Sequence, residues 1–475
     1  MKYKVPIIFN IILLFYGINV FHGVSELLNY SLVSICMLIC IIQFLLIEFD
    51  DFRRLFRPVT LILFSYLIVN CQLYIDLIFG NISPEDPLFV NQNLINRGAL
   101  LSAISFTAFS IGYFMTKGYK VDEKKKDLKY NKFIYRAFAW GSILLFIFWI
   151  SGLSVKDFTG EAYLESSTYN QSRTYYVEIL LQTFILLTLT YGTLNEKMVS
   201  FISFLNGIPK LFLASMIAYL FIKLMTGDRG PIIYTFFLLV FAYVFQTKRK
   251  IPLLVLIIAF STGIYIMNSI RLGRKHGSDI TFKEKLWYAY NNRAEIESDN
   301  SFSPFTLELA SSNLCTNIAL DQIHNKEHTF FYGTFHICYL LKSIPFLGTK
   351  LVNDYLNIPS SSQSSSEFVT VIFYGPLYLS GLGTTTIADE YLEFGLWGVV
   401  LSFLFIGFVF KKVDSCIFHV SPKRINPALL LAVFTMCYGA FYIPRGIFFM
   451  YFRTWLYAYL TFYFVNAIVS HYAKK

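Results

Sequence analysis

The sequence predicts an all-α polytopic membrane protein with about 12 transmembrane helices and one large loop on the outer face. Composition is the first reason: 55% of the 475 residues are hydrophobic and 15% are charged, with a mean hydropathy of +0.53. A soluble protein would carry about 25% charged residues. The second reason is the recurrence of apolar runs of about 20 residues, each long enough to cross roughly 30 Å of hydrocarbon. Such runs exclude a β-barrel, whose strands would appear as short alternating segments.

The predicted spans take up most of the chain, and the first run is interpreted as a retained membrane helix because no small-residue cleavage site follows it. In chain order the spans are predicted at 5–22, 30–48, 57–79, 97–116, 133–151, 176–193, 209–226, 230–246, 251–269, 392–411, 426–444 and 447–468.

The third reason is the placement of the positive charges, which crowd into alternate loops. This is the positive-inside pattern, and it predicts that both termini are cytoplasmic. The net charge of +10 therefore reports topology and does not indicate a nucleic-acid partner. The crowded loops contain Arg53, Arg54 and Arg57; Lys117, Lys120, Lys124, Lys125, Lys126, Lys129 and Lys132; Lys248, Arg249 and Lys250; and Lys411, Lys412, Lys423 and Arg424.

Three regions follow from this topology: nine spans in 1–269, a loop domain on the outer face in 270–391 and three spans in 392–475. Within the loop, the serine-rich run "PSSSQSSSEF" (359–368) is typical of a mobile segment. The apolar stretch near 331–347 is expected to lie on the membrane surface or to dip into it. No phosphate-binding GxxxxGK[ST] or GxGxxG motif occurs.

The turn "TGDRG" (226–230) joins two predicted spans on the outer face. Asp228 is predicted to cap the following helix. Arg229 is less easily explained, because a cation at a helix N-terminus opposes the helix dipole by about 0.3–1 kcal/mol. An anionic partner would resolve the conflict. That partner is either a phosphate group, which an arginine and free backbone N–H groups bind well, or a carboxylate such as Asp228.

Four more arginines are predicted at the outer face, where the positive-inside rule leaves few. Arg271 and Arg274 lie three residues apart at the end of a span, so they share one helix face. They either bind substrate or anchor the helix end to lipid headgroups. Arg445 lies at the outer boundary of the last span, and Arg453 lies about 12 Å deeper at 1.5 Å per residue. A charge at that depth normally lines a cavity or meets a partner.

The acids occur in "GLGTTTIADEYLEFGLWGVV" (381–400). Thr386 and Asp389 have the spacing of a capping box, which makes Asp389 a structural cap. Glu390 either pairs with an arginine or accepts a proton from a hydroxyl nucleophile. His336 and His276 are further candidate bases, or plain polar residues. The candidate site therefore combines Glu390 with Arg229, Arg271, Arg274, Arg445 and Arg453, a set that suits a diphosphate because arginine binds phosphate bidentately.

No metal or cofactor is expected. The run "HNKEH" (324–328) has the H-x-x-E-H spacing of a zinc peptidase helix, but a bare five-residue match without an evident third ligand is weak. Cys315 and Cys338 both fall in the outer loop, where they either pair or remain free thiols.

Two of these segments resemble a known family. "TGDRGP" (226–231) after an apolar span resembles the arginine-containing turn of Wzy-type O-antigen polysaccharide polymerases. "GLGTTTIADEYLEFGLWGVVLSFLFIGFV" (381–409) is similar to that family's Gly–small–acid–aromatic–Phe–Gly stretch. The resemblance implies a C-type glycosyltransferase-like, multi-pass enzyme of the bacterial inner membrane, so that the large outer loop, 270–391, would be a periplasmic loop domain. Arg229 and Glu390 are the catalytic residues that carry over by matched position.

The resemblance further implies the reaction. Growing glycan on undecaprenyl diphosphate would be transferred to a lipid-linked repeat unit at the periplasmic face, with no metal and no nucleotide sugar. Both donor and acceptor would be undecaprenyl-diphosphate-linked oligosaccharides, and a chain-length regulator protein is a further partner that the family allows. Two alternatives remain open: a lipid-linked oligosaccharide flippase and an O-antigen ligase. The sugars and the linkage cannot be inferred from the sequence.

Overall fold

The structure is a computed structural model, and every regular element among the residues it describes is helical. It describes residues 4–50, 57–119, 130–153, 173–195, 201–226, 228, 230–248, 263, 301, 303, 306–325, 327–345, 347–378 and 381–472.

The helices are labelled here in chain order. They are α1 (Lys4–Gly23), α2 (Tyr30–Asp50), α3 (Pro58–Tyr66), α4 (Gln72–Ile78), α5 (Ile95–Met115), α6 (Lys132–Ser151), α7 (Arg173–Gly192), α8 (Phe201–Gly207), α9 (Lys210–Thr226), α10 (Gly230–Thr247), α11 (Leu307–Ala310), α12 (Asn313–His324), α13 (Thr334–Lys342), α14 (Gly348–Lys350), α15 (Ser365–Tyr374), α16 (Thr386–His419), α17 (Pro427–Gly439) and α18 (Met450–Tyr472). One π-helical turn, Leu67–Cys71, joins α3 to α4 as a single rod.

Eight spans in the described part of the chain are long and apolar enough to cross a membrane. Each coincides with a predicted span, so the multi-pass architecture is confirmed and the number 12 is not. Three further predicted spans meet shorter or less apolar helices, namely α9, α17 and α18. The predicted span 251–269 lies outside the described residues. The eight spans are Val5–Gly23, Tyr30–Phe49, Pro58–Ile78, Gln92–Met115, Lys132–Ser151, Tyr175–Gly192, Gly230–Thr247 and Thr386–His419.

The chain divides into two compact units, of which the first comprises 1–118, 294–414 and 440–450. Its core is α5, which is buried along almost its whole length. Gly112 on α5 and Gly407 on α16 explain the tight packing there. A Cβ on Gly112 would lie 2.0 Å from the Leu404 carbonyl oxygen, and one on Gly407 would lie 2.1 Å from the Phe109 carbonyl oxygen. Small residues that let helix backbones approach are a common basis of packing in membranes.

The second unit comprises 119–293, 415–439 and 451–475. Aromatic side chains fill the contact between α6 and α7, where the Phe138 and Phe184 rings lie 6.3 Å apart. Gly141 leaves room for Phe184, since a Cβ at that glycine would lie 2.3 Å from the ring.

The serine-rich run in the predicted loop domain contains a turn and the start of a helix, so it is not the irregular loop that the sequence predicted. Ser360–Ser362 form a 3₁₀ turn, and the Gln363 side chain donates hydrogen bonds to Asn353 Oδ1 over 2.8 Å and to the Ile358 carbonyl over 2.6 Å. Ser364 caps α15 through a 3.2 Å bond from the Glu367 N–H. Serine is a strong N-cap, so a polar run that suggests flexibility here starts a helix.

Candidate active site

The first two turns of α16 form a separate helical segment. Thr385 is its N-cap, because the Thr385 hydroxyl accepts a 3.0 Å hydrogen bond from the Ala388 N–H. Phe394 and Gly395 then depart from helical geometry, and Gly395 has φ +64° and ψ −151°. A side chain at Gly395 would be strained in this conformation, and a Cβ there would lie 2.8 Å from the Phe330 ring. The Phe–Gly pair therefore ends the segment and starts the membrane span.

Another part of the chain caps this kink. The N–H groups of Phe331 and Tyr332 donate to the carbonyls of Leu392 and Glu393, each over 3.0 Å. A broken helix leaves carbonyls without partners, and they need donors when they are buried. The stretch around Phe331 supplies those donors, which brings the start of α13 beside the acids of α16.

Asp389 lies at the centre of this arrangement, and its side chain is fully buried. It accepts a 2.5 Å hydrogen bond from the Ser365 hydroxyl and a 2.9 Å bond from the Phe448 N–H. The predicted capping box of Thr386 and Asp389 was therefore wrong. The Thr386 hydroxyl instead donates to the carbonyls of Ile443 and Gly446.

Glu390 forms an ion pair with His336, whose Nε2 lies 3.1 Å from the Glu390 carboxylate and 3.7 Å from that of Asp389. Burial alone would lower the pKa of His336. The hydrogen bonds and negative charges of Asp389 and Glu390 outweigh burial and raise that pKa to about 10. The imidazole is therefore a cation at neutral pH, and it cannot take up a further proton.

Glu393 caps α13, because its side chain binds the backbone at the start of that helix. Its carboxylate accepts hydrogen bonds from the N–H of Gly333 and, over 3.0 Å, from the N–H of His336. A carboxylate at a helix N-terminus satisfies unpaired N–H groups and complements the helix dipole. Glu393 thereby fixes the first turn of α13 and, with it, the position of the His336 ring.

Aromatic rings surround the His336 side chain. The ring centroids of Phe394, Phe448 and Phe449 lie 5.8, 6.1 and 5.0 Å from that of His336. These rings limit access of water, and a low local dielectric strengthens the interaction between the imidazolium and the carboxylates.

The same groups contain the ligand types of a metal site. Atoms of His336, Asp389 and Glu390 that can bind a metal lie within 4.8 Å of one another, and one histidine with two carboxylates is a donor set that transition metals accept. Against this, both Asp389 oxygens already accept hydrogen bonds from Ser365 and Phe448. The 3.1 Å contact of His336 with Glu390 is moreover a hydrogen-bond distance. A shared proton fits the arrangement better than a metal ion.

The "HNKEH" run does not form one helical face. His324 is the last residue of α12, and its ring lies against the Arg97 guanidinium. His328 lies beyond the helix, with its ring centroid 4.9 Å from that of Phe368. The spacing of a zinc peptidase helix is thus present in the sequence but not in the structure.

The predicted arginines are only partly described. Arg445 lies in the 3₁₀ turn Ile443–Arg445 beside the first turn of α16, and its half-buried guanidinium has no hydrogen-bonding or ion-pairing partner among the described residues. Arg453, in the second unit, donates a 3.1 Å hydrogen bond to the Tyr175 hydroxyl. Arg229, Arg271 and Arg274 lie outside the described residues.

An ionic network around the buried Lys223 binds the residue before Arg229, Asp228, whose own side chain is 38% exposed. Asp228 accepts a 3.3 Å bond from the Gly230 N–H, which is the predicted cap, and also pairs with Lys223 over 3.3 Å. Lys223 in turn lies 2.6 Å from Glu178, and Glu178 accepts a 3.0 Å bond from the Tyr219 hydroxyl. The carboxylate of Asp228 is therefore bound to a lysine of the same unit.

The cysteines in question are free and buried. Burial raises the pKa of Cys315 to about 12, and its thiol donates to the Gly383 carbonyl over 3.6 Å. Burial also raises the pKa of Cys338. Of the two alternatives left open by the sequence, the structure shows free thiols.

Sequence reasoning named Glu390 and Arg445 but missed two partners. His336 was one of two candidate bases, and no local pattern assigns it to the acids. Ser365 lies in a run that predicted mobility, so nothing in its neighbourhood indicated a bond to Asp389. The acids themselves gave the better signal, because Asp389 and Glu390 lie four and three residues before Glu393, at spacings that make each of them a neighbour of Glu393 on a helix.

Comparison with known proteins adds the family. No curated protein and no solved structure matches the chain. The family model described as O-antigen polysaccharide polymerase Wzy matches residues 5–475, which is essentially the whole chain. With its acids beside a membrane span and its multi-pass helical fold, the chain belongs to the O-antigen polysaccharide polymerase Wzy family.

Proposed function

We propose that this polymerase transfers a growing glycan from undecaprenyl diphosphate to a lipid-linked repeat unit at the periplasmic face of the inner membrane. Membership of the family supports a glycosyltransferase-type polymerase acting on lipid-linked oligosaccharides. The observation that carries the chemistry is the contact of the buried Glu390 carboxylate with His336 at 3.1 Å. It makes Glu390 the candidate general base.

Glu390 is the most available of the three carboxylates. Asp389 is bound to Ser365 and Phe448, and Glu393 is bound to the backbone of α13. The partners of Glu390 are two side chains, His336 and Ser402. A carboxylate that no backbone group holds can accept a proton from a substrate hydroxyl within hydrogen-bond reach.

The proposed step balances without a metal. The acceptor sugar hydroxyl gives its proton to Glu390 while its oxygen forms a bond to the anomeric carbon of the donor. The bond from that carbon to the diphosphate oxygen breaks, and undecaprenyl diphosphate leaves with the electron pair. The His336 imidazolium orients Glu390 and, as a neighbouring positive charge, favours the ionised form that can accept the proton.

The diphosphate needs a cationic site apart from the acids. Three carboxylates and one imidazolium leave a net negative charge around Glu390, which would repel a phosphate group. Arg445, half-buried and without a hydrogen-bonding or ion-pairing partner among the described residues, lies beside the first turn of α16 and offers such a cation. We assign it to the diphosphate together with Arg229, Arg271, Arg274 and Arg453, since guanidinium groups stabilise a leaving phosphate as a metal ion would.

Glu390→Gln tests this proposal, with Glu393→Gln as the matched control. Both changes remove one buried charge from the same helical segment. Loss of a general base costs about 10²–10⁴-fold in rate, so Glu390→Gln should abolish the glycan ladder at normal protein abundance. Glu393→Gln should affect mainly abundance, because it weakens the cap of α13. A normal ladder from Glu390→Gln would refute the assignment, and activity that chelators abolish and zinc restores would refute the metal-free step.

The surface glycan of a deletion strain separates the polymerase from the two alternatives. A polymerase mutant should carry single repeat units on the lipid A core. An uncapped core would indicate a ligase, and repeat units retained in the cytoplasm would indicate a flippase.

A further inference from the structure

Helix α13 has one buried face and one exposed apolar face. Phe335 and Cys338 are fully buried, whereas Ile337 and Ile344 are 54% and 42% exposed. With Leu340, which is also exposed, they follow a spacing of three and four residues, so they lie along one side of the helix and its C-terminal extension. A soluble surface rarely carries such a stripe without a partner.

The helix is fixed at the level where the α16 span begins. Glu393, one residue before the kink that starts the α16 span, holds the first turn of α13. The Tyr339 hydroxyl donates a 2.8 Å bond to the carbonyl of Met450, the first residue of α18. With nine residues, α13 is about 13 Å long and too short to cross a bilayer.

The exposed apolar face also continues a lipid-facing surface. On α16, Trp397, Leu401 and Phe405 are 57%, 63% and 53% exposed and recur every four residues. In a membrane span such a stripe faces lipid. At its outer end it reaches Phe394, which is 42% exposed and lies against Gly333 and His336 at the start of α13. The two apolar stripes thus meet at the kink.

We infer that α13 lies in the boundary between headgroups and acyl chains of the bilayer, with Ile337, Leu340 and Ile344 in contact with lipid. Lys342 at the helix end suits this depth, because a lysine there reaches the phosphate layer. This position of α13 in the bilayer, called its seating below, would hold His336 and Glu390 at the level of a lipid-borne diphosphate. The consequence for the diphosphate rests on the proposed function, whereas the seating itself does not.

Spin labels on introduced cysteines test the seating in the full-length protein. Ile337→Cys and Ile344→Cys are labelled in nanodiscs of phosphatidylethanolamine and phosphatidylglycerol, with Ser360→Cys as the control at an exposed polar position. The described native cysteines are buried, and labelled wild type gives the background. Labels at 337 and 344 should be accessible to oxygen and shielded from a water-soluble nickel chelate, and the control should show the reverse.

Two outcomes would overturn the inference. Equal access of nickel at all three positions would mean that the stripe faces water. Shielding from both reagents in native membranes, lost after purification into nanodiscs, would mean that a protein covers it. Neither measurement uses polymer formation, so an inactive Glu390→Gln variant and a failed seating test are distinguishable.

Discussion

Replacing His336 by glutamine should remove a pH-dependent part of the stability of the polymerase. His336 is the cation between Asp389 and Glu390, and its side chain is 12% exposed. Glutamine keeps a donor near the carboxylates but loses the charge. Two buried carboxylates would then remain without their cation, and breaking a buried pair in this way typically costs about 3–5 kcal/mol.

The pKa gives an independent magnitude and a sign. The pKa of His336 rises from an ordinary value of 6.5 to about 10 in the folded protein, and each pKa unit corresponds to about 1.36 kcal/mol. The imidazolium therefore contributes on the order of 5 kcal/mol. Because the folded pKa is the higher one, this stability is fully present below pH 6.5 and is lost as pH rises through 10.

Thermal unfolding of the purified protein in lipid nanodiscs, followed from pH 6 to 10.5, measures this difference. The gap in Tm between wild type and His336→Gln should be largest at the acidic end and should close as pH approaches 10. His328→Gln is the matched control, since that ring packs on Phe331 and Phe368, and its gap should not follow the titration of His336. If the difference in Tm between wild type and His336→Gln stayed constant across this pH range, the assignment of His336 as a buried imidazolium would be refuted.

Three further predictions concern other parts of the chain. Lys223→Met leaves two carboxylates without their buried cation, which should cost about 3–5 kcal/mol of stability and so lower the abundance of the protein in the membrane. Lys210→Met, at an exposed position, is the control, and equal abundance of the two variants would contradict the network. Gly395→Ala places a side chain on a strained backbone conformation, at a cost of about 1–3 kcal/mol, and should reduce both polymer formation and protein abundance. Gly381→Ala should have little effect on either, because a Cβ there would have its nearest neighbour 3.8 Å away. Ser360→Cys should react in intact cells with a reagent that crosses only the outer membrane, and labelling only after inner-membrane lysis would place the loop in the cytoplasm.

The fold could be predicted largely because its signals are local. An apolar run of about 20 residues specifies a membrane helix without reference to the rest of the chain, and eight predicted spans recur in the structure. The exceptions have local reasons as well. The predicted span 426–444 becomes the 13-residue α17, because the chain leaves the helix at Gly439 and turns through Pro444.

The site was less predictable because its contacts are distant in sequence. Glu390 and His336 are separated by 54 residues, and Asp389 and Ser365 by 24. No periodicity records which histidine or serine of a long loop meets an acid. Arg229 is the opposite case, because a local signal, its unfavourable position at a helix N-terminus, was enough to single it out. Arg229 lies outside the described residues, so its role remains a proposal.

Charged groups are tolerated at the membrane boundary here because each carboxylate has donors of its own. Asp389 takes a serine hydroxyl and a backbone N–H, Glu393 takes two backbone N–H groups, and Glu390 takes the imidazolium. The kink at Gly395 makes this possible, since it ends the short helix before the span and frees the Leu392 carbonyl for the Phe331 N–H. A straight helix would present the same acids but would not hold α13 and His336 against them. The Phe–Gly pair in the family-like stretch is therefore part of how the acid site is built, and straightening the helix should cost activity even where the acids are intact.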